Sequence, residues 1–152
     1  MVFRSMAALA SVLNPDDHGD PLNVLGVTVQ VLASHQACDV PRITLQSGAE
    51  GAGPPPHSHP WSESFYVTKG SVQFMCGGSS TICGAGAFVH VPAGTVHGFS
   101  FGPGGGEMLE ITPNSSQALA MFTALHEASS SGPPDVPTVV SVAGRHDVVF
   151  HL

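Results

Sequence analysis

The sequence predicts an all-β sandwich or barrel followed by a C-terminal helical appendage. Short runs rich in Val, Ile, Thr and Phe follow one another from Leu22 to Thr112, at the spacing of strands in such folds. The 18 glycines and 13 prolines are spread between these runs, so they mark turns joining short strands rather than a disordered tract. After Pro113 the apolar pattern changes from strand to helical spacing. At 152 residues the chain is long enough to bury one real core.

Residues 1–20 read as an N-terminal arm that closes in "NPDDHGDP". Its start, "MVFRSMAALASVLNP", is expected to be a short amphipathic helix. The apolar run there is broken by serines and lacks a small-x-small cleavage site, which argues against a signal peptide and for a cytoplasmic protein. The barrel is assigned to residues 21–113. Its runs are "LNVLGVTVQVLA", "RITLQ", "ESFYVTKG", "SVQFMC", "STIC", "AFVHVPAG", "VHGFSF" and "EMLEIT", with "CGGSS" as a hairpin turn. Residues 114–152 form the appendage. "SSQALAMFTALHEASSSG" places Ala118, Leu119, Phe122 and Leu125 at helical spacing behind a serine cap and ends at Gly132. "PPDVPTVVSVAGRHDVVFHL" reads as a short helix and an edge segment packed on the barrel.

Charge excludes several functions. The net charge is −7 and charged residues make up 10% of the chain, against an average near ~25%. No cluster of Lys and Arg exists to bind phosphates, so nucleic acid is not a partner. Anionic membrane surfaces are excluded on the same ground, and no apolar stretch approaches the ~20 residues of a bilayer span. The absence of a helix-turn-helix pattern disfavours a transcriptional regulator. Cys38, Cys76 and Cys83 are odd in number and show no CxxC spacing, so they read as buried free thiols. A Cys76–Cys83 bridge across a hairpin is the lesser alternative.

Chemistry concentrates in "GAGPPPHSHPWSESFYVTKG". Side chains alternate faces along a strand, so His57 and His59 point the same way. Pro60 interrupts pairing, and Glu63 opens the next strand with Phe65 and Val67 on its face. An inward Glu63 is costly unless a cation or metal faces it. In "GAFVHVPAGTVHGFSF" a Pro-Ala-Gly turn swings His97 towards the barrel mouth, with Phe99 and Phe101 on its face. Among the remaining groups, His90 reads as a structural or rim histidine. His18, His35, His126, His146 and His151 read as surface residues. Glu50, Glu107 and Glu110 are candidate bases, with Glu110 pointing into the barrel or out of it. Trp61 reads as an anchor at the mouth or at an interface. Phe65, Phe74, Phe88, Phe99, Phe101 and Met75 are expected as core, and as the wall of any substrate pocket.

These stretches resemble the two motifs of the cupin superfamily. Gly51, His57, His59, Glu63 and Gly70 match the first motif, G-x5-H-x-H-x3-E-x6-G, at every position. Gly86, Pro92, Gly94 and His97 match the second, G-x5-P-x-G-x2-H-x3-N, whose final Asn is replaced by Phe101. The wording around the first motif, the helix after "ITP" and the ending "AGRHDVVFHL" are most similar to quercetin-dioxygenase-like cupins. The resemblance implies a jelly-roll barrel holding one divalent metal through His57, His59, Glu63 and His97. Fe, Mn, Ni, Cu and Zn all suit such nitrogen and oxygen ligands. Phe101 in place of Asn removes a polar contact and no ligand. The implied function is a dioxygenase acting on a small aromatic, flavonol-like or polyketide-like enol, with Glu63 as ligand and proton acceptor. The same constellation supports a Lewis-acid isomerase, cyclase or lyase, or a non-catalytic small-molecule-binding protein. Exposed sheet edges lead to the expectation of a homodimer.

Overall fold

The computed structural model describes residues 10–34 and 41–152. The helix expected at the N-terminus falls largely on residues 1–9, outside the described residues, while residues 10–13 are irregular and exposed. Cys38 also lies outside them. The first regular pair is the hairpin of β1 (Leu22–Val24) and β2 (Val27–Ala33). Leu25 and Gly26 join these strands with φ of 53° and 88°, both positive as a two-residue primed turn requires.

Then come β3 (Arg42–Gly48), β4 (His57–Ser58), β5 (Glu63–Cys76), β6 (Ser79–Gly84), β7 (Phe88–Val91) and β8 (His97–Thr112). The runs "ESFYVTKG" and "SVQFMC" are one continuous strand, β5, and "VHGFSF" and "EMLEIT" are another, β8. Their glycines bend the strands instead of ending them. Pairing of β5 with β8 continues through the bend with register shifts at Val67/Lys69 and Gly70/Val72, as bulges produce. Gly70 has φ of 65°, and a Cβ there would strike the Gly105 carbonyl, so only glycine fits where the two bends cross.

The bends curl one sheet into two facing halves. In one half β1, β2, β3, the second part of β8, the first part of β5 and β7 lie side by side. The other half holds β6, the second part of β5, the first part of β8, β4 and a last strand, β9 (Val149–Phe150). Val29, Phe65, Val67, Val72, Phe74 and Met108 fill the space between them. This is the all-β, jelly-roll architecture that the motifs imply.

Helix α1 (Ala118–Ala128) presents Ala118, Met121, Phe122 and Leu125 as its buried face and packs against β1. The Ser116 hydroxyl accepts a hydrogen bond from the Ala118 N–H at 3.1 Å, and the His126 Nδ1 accepts one from the Asn23 N–H at 2.9 Å. His126 therefore helps seat the helix, and is half-buried rather than a free surface residue. Helix α2 (Val136–Gly144) is capped by Asp135, whose carboxylate accepts from the Thr138 N–H. The chain then reverses and β9 pairs with β4, placing Phe150 opposite His57. Cys76 and Cys83 are free thiols. Among the described residues, no helix is long and apolar enough to cross a membrane.

Candidate metal centre

Three strands and two turns bring His57, His59, Glu63 and His97 together. His57 lies directly opposite His97 across the β4–β8 pairing. His59 follows β4, and the turn before β8 is tied to it, because the Gly94 N–H donates to the His59 carbonyl at 2.8 Å. Glu63 begins β5, whose buried positions alternate through Phe65 and Val67. All four side chains are buried, and one potential ligand atom from each lies within 4.8 Å of the others.

The tautomers show what the cluster is built to hold. His57 Nδ1 donates to the Pro55 carbonyl at 2.8 Å, His59 Nδ1 to the Trp61 carbonyl at 2.9 Å, and His97 Nδ1 to the Thr95 carbonyl at 2.8 Å. A carbonyl oxygen only accepts, so each Nδ1 carries the hydrogen and each neutral ring keeps a lone pair on Nε2. Glu63 Oε2, itself an acceptor, sits 3.2 Å from His59 Nε2 and 2.9 Å from His97 Nε2. Lone pairs facing a carboxylate at these distances repel unless a proton or a cation lies among them. Burial opposes a proton on His97, but the Glu63 carboxylate outweighs it and raises the His97 pKa, which eases one contact. His57 does not share this relief. Burial and the neighbouring His97 lower its pKa to about 4, so it stays neutral with its Nε2 open. Three imidazoles whose Nδ1–H groups are oriented by backbone carbonyls, around one carboxylate, are a fitting donor set for a divalent metal.

A second carboxyl enters the site that sequence parity left undecided. Glu110 on β8 is 3% exposed and points inward beside Glu63. Thr44 Oγ1 donates to its Oε1 at 3.2 Å, and Gln46 Nε2 donates to Thr44 Oγ1 at 3.3 Å. Burial and the charge on Glu63 push the Glu110 pKa well above the usual carboxylate range. Burial also opposes ionisation of Glu63, but the facing His59 and His97 imidazoles outweigh it and hold its pKa below the usual carboxylate range. The two adjacent carboxyls are thus pushed in opposite directions.

The cluster forms one pole of a cavity of about 60 Å³, room for about five water molecules. Carbon dominates the rest of the wall: Val27, Val29, Phe65 and Phe99 from the barrel, Leu125 from α1, and Phe150 from β9. Of the aromatic and Met positions expected at a pocket, Phe65 and Phe99 reach this wall. Phe74 packs on both from behind, with ring centroids 5.1 and 5.9 Å away. Phe101 stacks edge-on to Phe99, towards Gly48 and Gly106. Met75 is half-buried near Gly98, and Phe88 is 63% exposed. His90 is exposed on β7 and hydrogen-bonds Ser64. Trp61 is not an exposed anchor. It is 5% exposed and lies flat on His59, with ring centroids 4.3 Å apart and planes 10° from parallel.

The family model for the cupin domain matches residues 43–112, which span β3 to the end of β8 and contain all four clustered residues. Residues 43–112 thus form a cupin domain. Solved structures agree with this cupin assignment. A polyketide cyclase, RemF from Streptomyces resistomycificus, is 23% identical with a TM-score of 0.61, over 70% of this chain and 81% of that one. An RmlC-like cupin from Shewanella frigidimarina is 19% identical with a TM-score of 0.62, over 72% and 96%. KdgF from Halomonas sp. is 20% identical with a TM-score of 0.60, over 69% and 94%. At these identities the likeness is one of fold. No functionally curated protein matches the sequence.

Proposed function

We propose that this cupin is a metal-dependent enzyme that moves a proton on a small enolisable carbonyl compound, as an isomerase, cyclase or lyase. The observation that carries this is the placement of a second buried carboxyl, Glu110, beside Glu63 on the wall of one apolar cavity, where their surroundings push the two pKa values in opposite directions. Adjacent titratable groups whose environments drive them apart are the signature of an acid and a base in one site. His57, His59, Glu63 and His97 would hold the metal. A divalent cation there would supply Lewis acidity, polarising a substrate oxygen and so acidifying the neighbouring C–H. Glu63 would take the proton of the acidified C–H, and Glu110, whose burial favours its protonated form, would return a proton to the substrate. Val27, Val29, Phe65 and Phe99 exclude water and hold the carbon skeleton. The cavity's size favours a ligand of few heavy atoms; a flavonol would need α1 displaced. That a polyketide cyclase shares the fold is consistent with non-redox carbonyl chemistry on such a barrel, although fold alone does not assign it.

An oxygenase is the second reading, favoured by the three-histidine, one-carboxylate donor set, which suits redox-active metals as well as zinc. The two separate in one experiment. Protein loaded in turn with Zn(II), Fe(II), Mn(II), Ni(II) or Cu(II) is incubated in D2O with small dicarbonyl and hydroxycarbonyl compounds, with and without air. Metal-dependent deuterium incorporation above the uncatalysed rate, without oxygen uptake, is expected. Glu110→Gln should slow it by about 10²-fold or more, the usual worth of a general acid. Oxygen consumption tied to substrate loss would establish the oxygenase. Binding without turnover in either atmosphere would leave a small-molecule-binding protein.

A further inference from the structure

Nearly all of the cavity wall is buried, and a small ligand needs a way in. Leu25, Pro54 and Phe150 are the lining residues that are only half-buried. Leu25 sits in the β1–β2 turn, on the side where α1 packs. Pro54 and Phe150 border the metal pole instead. Phe150 lies opposite His57, with ring centroids 5.9 Å apart, and Pro54 begins the proline tract that leads into His57.

These two are held very differently. The tract before His57 is packed tightly on β8: a Cβ on Gly53 would strike the Phe99 carbonyl, and one on Gly98 would lie 3.1 Å from the Pro54 carbonyl. Its prolines fix φ, and it delivers His57 into the cluster, so moving it would pull the metal centre apart. β9 carries none of the clustered residues. It is a two-residue strand paired with β4 through His57–Phe150 and Ser58–Val149, and among the described residues its other edge is unpaired. The His151 N–H donates to the Pro56 carbonyl at 2.8 Å, and His151 Nε2 lies 2.9 Å from the Ser58 hydroxyl. Just before β9 the chain is anchored, since Val148 is 2% exposed and its N–H donates to the Ala143 carbonyl at 3.0 Å.

We propose that β9 is the gate of the cavity: residues 149–151 unpair from β4, pivot on Val148 and carry the Phe150 ring off the metal pole. This rests on the reading of the cavity as the ligand site and says how that site is reached. The move breaks two strand pairs and exposes one half-buried ring. Lifting α1 would expose Met121, Phe122 and Leu125 together, a far larger loss of buried apolar surface. His57 stays in place when β9 leaves, because it remains paired with His97 and bonded to the Pro55 carbonyl. Weakly held segments of this kind open without global unfolding.

Ser58 and Val149 are directly opposite in the β4–β9 register, near enough for a disulfide. Ser58→Cys/Val149→Cys therefore locks the gate when oxidised and frees it when reduced. Entry is read by stopped flow, with imidazole as the probe and the visible spectrum of the cobalt-loaded protein as the signal. Relative to wild type given the same oxidant, oxidation should slow imidazole binding and release alike by about tenfold or more and leave the affinity within about threefold, because a gate scales both rates. His151→Ala, which removes the side-chain tie to Ser58, should speed both by about threefold, the worth of a modest hydrogen bond. Unchanged rates in the oxidised variant would overturn the gate and place entry at the Leu25 end. Altered affinity through the release rate alone would overturn it too, leaving Phe150 a fixed part of the wall. Should the wild type take up no cobalt or bind no imidazole, the reading of the site fails separately, and hydrogen exchange of the metal-free protein decides. The His151 N–H should then exchange at least about tenfold faster than the Val148 N–H; equal protection would overturn the proposal.

Discussion

Leu125→Ala tests how the cavity is closed. Leu125 is 1% exposed on the buried face of α1 and forms part of the cavity wall. Truncating a fully buried leucine costs about 2–5 kcal/mol, with the larger values where surrounding groups do not collapse into the space. Here the void joins a cavity that barrel strands already hold open, so the expected loss is about 3–4 kcal/mol. For a chain of this size that corresponds to a fall in Tm of about 10 °C. Urea unfolding of the metal-free protein gives the value directly, with the midpoint shifted and the m-value unchanged. Val136→Ala, on an exposed side chain of α2, should stay within about 0.5 kcal/mol. A loss below about 1 kcal/mol for Leu125→Ala would show that α1 is not seated over the barrel, and the cavity described above would then be open.

Further perturbations probe the other parts of the account. Gly70→Ala puts a Cβ into the Gly105 carbonyl at a positive φ, and unfolding should become easier by at least about 2 kcal/mol; a neutral result would mean that the β5 and β8 bends do not cross there. His57 has a pKa lowered to about 4, so the unfolded chain binds a proton here that the folded one refuses. The metal-free protein should therefore lose about 3 kcal/mol through this group as pH falls from 6.5 to 4, at 1.36 kcal/mol per pH unit. The His57→Gln variant, compared by urea unfolding at both pH values, should lack that increment. Zinc at a hundred times its dissociation constant should stabilise the fold by about 2.7 kcal/mol, raising Tm by about 5–10 °C, and EDTA should reverse the shift.

Three of the four clustered residues were legible because their spacing is local, and His97 because it follows the Pro-Ala-Gly turn of the second motif. His57 and Glu63 flank a proline-broken turn, and the alternation from Glu63 through Phe65 to Val67 is continuous in β5. Glu110 was not legible, for a geometric reason. Phe99 and Phe101 face inward at odd positions of β8, but past the glycine bend Met108, Glu110 and Thr112 are the buried ones. The bulge reverses the parity. The same reversal at Gly70 buries Val72 and Phe74 and turns Met75 away. Phe88 follows from register, since it pairs with the outward-facing Tyr66. Reading β5 and β8 as four strands hid both reversals. The β9–β4 pairing joins segments about ninety residues apart through two-residue strands, too short for any periodic signal. Trp61 was placed by its position between Pro60 and Ser62, whereas its burial depends on stacking against a histidine that only the folded turn presents.

The central claim is that His57, His59, Glu63 and His97 form one metal sphere. Metal analysis tests it most directly, by counting zinc per chain after loading and exhaustive dialysis. One ion per chain is expected for the wild type and none for the folded His57→Ala/His59→Ala variant. Full occupancy in that variant would contradict the claim.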